Sequence, residues 1–96
     1  MARVTSPDVL VEATQILKKE GWVQGSFQNY NGRCALGAVN GAGYNLNATD
    51  GVVDRAKARL ERALPKSYSG VIAYNDYPGR TFNAILRLFQ KARTIK

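Results

Sequence analysis

Three stretches of this chain repeat apolar residues every three to four positions, and that period is helical. Val9, Leu10, Ala13, Ile16 and Leu17 form the first stripe, Val52, Val53, Ala56, Leu60, Ala63 and Leu64 the second, and Phe82, Ile85, Leu86, Phe89 and Ala92 the third. Helix punctuation bounds each. Ser6-Pro7 reads as an N-cap with proline at the first helical position, and Gly21 as the left-handed residue that closes a helix over about residues 7–20. Thr49 or Asp50 caps the second helix and Pro65 stops it, while Thr81 caps the last.

The segments between the stripes carry other signals. CALGAVNGAG, residues 34–43, reads as a helix with Cys34, Ala38 and Ala42 on one side and Gly37 with Gly41 on another. Two interior glycines cost roughly 1 kcal/mol each, so this reading needs close packing, against Trp22 or another helix, to offset them. Their spacing matches neither the dinucleotide nor the nucleotide phosphate loop. GWVQGSFQNYNGR reads as a polar loop over residues 22–32, with or without a short hairpin, since Asn31-Gly32 tolerates the positive φ of a tight turn. VIAY, residues 71–74, is β-branched and aromatic and reads as a strand whose partner is the 22–36 region or another subunit. The expected fold is mainly α: a compact bundle of about four helices with a short β-strand or hairpin element. Ninety-six residues support one core, so residues 1–96 are expected to form a single domain.

Absences narrow the chemistry. The chain has no histidine, which removes imidazole acid–base catalysis, Ser–His and Cys–His dyads and the commonest zinc ligand. A single cysteine, Cys34, forms no internal disulfide and reads as a small buried hydrophobe. The acids are scattered, so neither a metal nor a cofactor is expected. No apolar run approaches the ~18 residues of a membrane span, and Arg3, Asp8 and Glu12 interrupt any leader-like segment. The expectation is a soluble cytoplasmic protein with no membrane partner.

All of the net charge of +7 falls in the C-terminal half. Such asymmetry points to an acidic partner, nucleic acid first. Arg55, Arg59 and Arg62 recur at i, i+4 and i+7 on the outer face of the second-stripe helix, with Lys66 just beyond, and Asp54 and Glu61 near enough to pair with some of them. Arg87, Lys91, Arg93 and Lys96 decorate the last helix. The expected nucleic-acid-binding residues are Arg55, Arg59, Arg62, Lys66, Arg87 and Lys91, provided the two helices lie side by side. No helix-turn-helix, RNA-recognition or zinc-finger signature accompanies them.

YNDYPGRT, residues 74–81, concentrates the remaining polar groups. Pro78-Gly79 suits a type II turn, and Asn75 and Asp76 suit an Asx-type turn. Asp76 beside Arg80, and the amide of Asn75 expected at the surface, are left over. They either brace the loop or turn Arg80 toward a ligand. An enzyme would have to work with Asn75, Asp76, Tyr77, Arg80 and Cys34, and a general base near neutral pH would need a strongly shifted carboxylate or lysine. A non-catalytic protein is therefore expected. Beside nucleic acid, the alternative partner is another protein, met by Phe27, Tyr30, Tyr74, Asp76, Tyr77 and Arg80. Self-association is a third reading, given the lone strand and the small-residue helix.

GWVQG, NGRCALGAV, and YNDYPGRT running into ILRLF together resemble a small uncharacterised domain family of actinobacteria and their phages. The family pattern is Gly-Trp-x-x-Gly, then Gly-x-x-Cys-Ala-x-Gly-Ala, then Trp-Asn-Asp and a helix-capping Thr. Gly21, Trp22 and Gly25, then Gly32, Ala35, Gly37 and Ala38, then Asn75, Asp76 and Thr81 match it over about residues 9–92, with one residue fewer before Cys34. Tyr74 replaces the usual tryptophan, and Val23 stands where a second cysteine often sits, so the resemblance carries no two-cysteine metal or redox role here. It implies a phage or actinobacterial accessory protein acting in a bacterial cytoplasm, including an inhibitor or adaptor of a host protein. Its motif residues are mostly turn, cap and packing types.

Overall fold

The computed structural model describes residues 3–95; Lys96, counted above among the cations of the last helix, lies outside the described residues. The chain runs through α1 (Ser6–Glu20), β1 (Gln28–Asn29), β2 (Gly32–Arg33), α2 (Ala35–Asn45), α3 (Asp50–Ala63), α4 (Val71–Asp76) and α5 (Phe82–Thr94). The architecture is mainly α, four long helices and one short, with a two-residue antiparallel hairpin, as the periodicity predicts.

The caps follow local hydrogen-bond chemistry. α1 starts one residue earlier than expected: Thr5 is the N-cap, its hydroxyl accepting from Asp8 N at 3.2 Å while Asp8 accepts from Thr5 N at 2.9 Å. Gly21 closes it at φ 105°, its N–H donating to Leu17 O. Thr49 and Thr81 cap α3 and α5 through their hydroxyls, and α3 ends before Pro65 as expected. α2 is capped by the thiol of Cys34, which accepts from Gly37 N at 3.3 Å.

α1 is the central rod and packs against α2, α3 and α5. Val9, Leu10, Ala13, Ile16 and Leu17 meet the small face of α2, the Ala56–Leu60–Ala63 stripe of α3, and Ile85, Leu88, Phe89 and Ala92 of α5. Leu88 takes the inward place expected of Leu86, which is half-buried. The α2 glycines do permit close approach, but not to Trp22. A Cβ on Gly37 would strike the Phe27 carbonyl, one on Gly41 the Arg33 guanidinium, and one on Gly43 the Val53 side chain. Trp22 instead stacks on Phe82, with ring centroids 6.2 Å apart and planes 13° from parallel.

The strand expected at VIAY is a helix, α4. Val71, Tyr74 and Asn75, at i, i+3 and i+4, are its buried residues. Glu61 Oε1 accepts from Val71 N at 3.3 Å, satisfying a donor at the helix start. β-propensity yields because inward packing decides such short segments. The hairpin pairs Gln28 with Arg33 and Asn29 with Gly32, and an isolated parallel bridge joins Trp22 to Arg33. Its tight turn is therefore Tyr30-Asn31, one residue before the expected Asn31-Gly32.

Candidate functional site

The last turn of α4 delivers Asn75 into the interior, where it is 1% exposed, not at the surface as expected. Its Oδ1 accepts from Trp22 Nε1 at 2.7 Å and from Ala35 N at 3.0 Å. Its Nδ2 donates to Val23 O at 3.1 Å and to Asp76 Oδ1 at 2.8 Å. An asparagine amide offers two acceptor lone pairs and two donors, and all are used. Asp76 Oδ1 also accepts from Gly25 N at 3.0 Å, and Gln24 Nε2 donates to Asn75 O and Tyr77 O. One side chain thus joins the 22–25 loop, the start of α2 and α4. The Asx reading of Asn75 and Asp76 is replaced by contacts across some fifty residues of chain.

Arg80 does not pair with Asp76, whose carboxylate is turned to Gly25. Pro78 and Gly79, at φ 83°, form the expected turn, closed by Arg80 N donating to Tyr77 O at 3.0 Å. The turn sends the Arg80 guanidinium over three rings, 3.7 Å from the Tyr74 centroid, 5.0 Å from Tyr68 and 5.3 Å from Tyr77. Its Nε donates to Tyr74 O at 2.8 Å and its Nη2 to the Tyr68 hydroxyl. A planar guanidinium stacks by its faces and donates by its edges, so the cage uses both. Of the six residues expected to meet a protein, Tyr74 and Arg80 are spent inside the fold. Phe27, Tyr30 and Tyr77 remain exposed, and Asp76 is exposed while holding the loop. A recess of about 100 Å³ lies under Phe27, lined by Cys34, Leu36, Val71, Ile72, Asn75 and Asp76 among others.

The basic residues divide. Arg59 is not on the outer face. Its Nε donates to Ser6 Oγ at 3.0 Å, and its Nη1 donates to Ala92 O at 3.0 Å and Ile95 O at 2.6 Å, so it caps the end of α5. The signal was present in the sequence: Arg59 lies three residues after Ala56 and beside Leu60, on the flank of the buried stripe. Arg55, Arg62, Lys66, Arg87 and Lys91 are exposed, and none has a carboxylate partner among the described residues, where the only ion pair is Arg33 with Glu20, 3.1 Å apart. Glu61 caps α4 instead of pairing with the stripe. α3 and α5 are packed neighbours, pinned by Arg59. Arg59→Ala is expected to lower stability by about 2 kcal/mol, since it removes charge-assisted hydrogen bonds to helix-end carbonyls. Arg55→Ala, which breaks no hydrogen bond or ion pair among the described residues, should stay within about 0.5 kcal/mol. Urea unfolding of both variants checks this.

Among the described residues no three metal-ligating side chains gather, and no helix is long and apolar enough to cross a membrane. These features define a small, mainly helical protein whose motif residues hold its loops to its helices. The chain belongs to a family of unknown function, DUF6197, whose model matches residues 1–94. Comparison with curated proteins and with solved structures gives no match.

Proposed function

We propose that this chain is a non-catalytic module that binds nucleic acid through the exposed cations of α3 and α5. The carrying observation is that Arg62, Arg87 and Lys91 stand exposed on two neighbouring helices, with Lys66 exposed in the turn just beyond α3, and none of the four has a carboxylate partner among the described residues. Phosphate contacts of this kind release counterions. The non-catalytic part is supported by the recess that Cys34 and Asp76 share. At about 100 Å³ it is small beside the roughly 300–1,000 Å³ of small-molecule sites, and both groups are engaged within the fold. The resemblance to actinobacterial and phage proteins supports an accessory role in a bacterial cytoplasm.

Fluorescence anisotropy with duplex DNA and with RNA across a salt series tests this. Four phosphate contacts predict a slope of about −3 to −4 in log K against log salt. Arg62→Glu combined with Lys91→Glu should weaken binding at least about tenfold. Absence of binding at low salt overturns the reading.

One observation favours a second reading, an adaptor or inhibitor of a host protein. Phe27, Ile72 and Tyr77 are large, apolar and about half exposed, at 57%, 47% and 54%, and Phe27 and Ile72 flank the same recess. Aromatic anchors beside a recess are typical of protein contacts. A partner retained from nuclease-treated lysate by the wild type and lost with Phe27→Ala would favour it.

A further inference from the structure

The starts of α1 and α3 enclose a groove of about 740 Å³ into which Arg3, Arg55 and Arg59 are gathered. Among the described residues no carboxylate lines it. Asp8, the acid of α1's first turn, is bound back to the Thr5 amide. Arg59 is held by Ser6, which also lines the groove, and by the carbonyls at the end of α5, and among the described residues its Nη2 edge donates to nothing. Among the described residues Arg3 and Arg55, which also line it, make no side-chain hydrogen bond and no ion pair. Three like charges around one concavity repel one another, and an anion seated between them relieves that repulsion. The rest of the lining is aliphatic, hydroxyl or amide, with no aromatic ring. A base would have no ring on which to stack, so the recognised group is the phosphate.

We propose that this groove binds the phosphate monoester of a nucleotide, free or at the 5′ end of a strand. A monoester near neutral pH carries close to two charges and three terminal oxygens, which suits convergent guanidiniums better than the single charge and two free oxygens of a backbone diester. The nucleotide source is favoured over a phosphorylated peptide by continuity: Arg62 lies three residues beyond Arg59 on the same flank of α3, so a strand leaving the groove meets the cations proposed above. That path rests on the polyanion reading; the phosphate site itself does not.

The test compares short oligonucleotides of one sequence with a 5′-phosphate or a 5′-hydroxyl by anisotropy, and titrates a 5′-mononucleotide, its nucleoside and a phosphoserine peptide while following arginine Nε–H signals by NMR. A 5′-phosphate should tighten binding about tenfold, the worth of a charge-assisted hydrogen bond or two. Arg55→Gln should bring that ratio close to one, whereas Arg62→Gln should weaken both oligonucleotides and keep the ratio. An Arg59 shift with the mononucleotide, absent with the nucleoside, supports the site even without an end preference and makes a free nucleotide its ligand. Equal binding of both oligonucleotides with no mononucleotide shift overturns the groove and leaves the outer face standing. Loss of all oligonucleotide binding with the mononucleotide shift retained does the reverse. Stronger shifts with the phosphoserine peptide than with the mononucleotide overturn the nucleotide assignment.

Discussion

Asn75→Ala is expected to destabilise the protein by about 3–5 kcal/mol, which is most of the stability of a small domain. The amide satisfies two donors and two acceptors at once, and alanine leaves the buried Ala35 N–H, the Trp22 indole N–H and the Val23 carbonyl without it. An orphaned buried group costs about 1–3 kcal/mol, and partial relaxation of the loop keeps the total below the sum. Asn75→Asp preserves the shape and both acceptor contacts. It also puts a second oxygen where Nδ2 now donates to Val23 O and to the Asp76 carboxylate, so acceptor faces acceptor twice. It should therefore also destabilise, by about 2 kcal/mol or more. Trp22, the lone tryptophan, lies at the junction and reports both unfoldings by fluorescence in urea. An Asn75→Asp protein as stable as wild type would show that the amide is not the link between loop and helices.

This junction also marks the limit of what the sequence made legible. The α1, α3 and α5 stripes could be read because each is a local repeat, and the caps at Thr49 and Thr81 because they act three residues away. The local pattern around Asn75 allows a surface turn and carries no sign of burial. Apart from Asp76, the partners of Asn75 are forty and more residues distant, and no periodicity records them. α4 departs from its local pattern for a related reason. Val71, Ile72 and Tyr74 have strand propensity, yet the helix is fixed by Glu61 from α3 and by the buried contacts of Tyr74 and Asn75. Arg59 differs, because its place on the flank of Ala56 and Leu60 was visible and the charge pattern of Arg55 and Arg62 obscured it. Charge repeats describe an outer face only where the apolar stripe is narrow, and the long arginine stem reaches from its edge to the end of a neighbouring helix. The candidate phosphate groove was out of reach of sequence reasoning, since it needs Arg3 brought beside α3, about fifty residues away.

Gly32→Ala should cost about 3 kcal/mol or more, and Gly79→Ala only about 1 kcal/mol. Both glycines have positive φ, 144° and 83°, so both substitutions strain the backbone. Only Gly32 is also confined. A Cβ there would run into the backbone of Gly21, and one on Gly21 would meet the carbonyl of Asn31, whereas Gly79 has nothing within 4 Å. The contact is built of main chain: Arg33 N donates to Gly21 O at 3.0 Å, and Val23 N donates to Arg33 O at 3.1 Å. These bonds lay β2 against the exit from α1. Displacing β2 would also disturb Cys34, whose N–H donates to Phe27 O at 3.1 Å and whose thiol caps α2. A backbone cannot move aside as a flexible side chain can, so the clash is relieved only by breaking this ladder. Urea midpoints of the two variants separate conformational strain from close approach. If Gly32→Ala cost no more than Gly79→Ala, the Gly21–Gly32 contact would not be what demands glycine at this position.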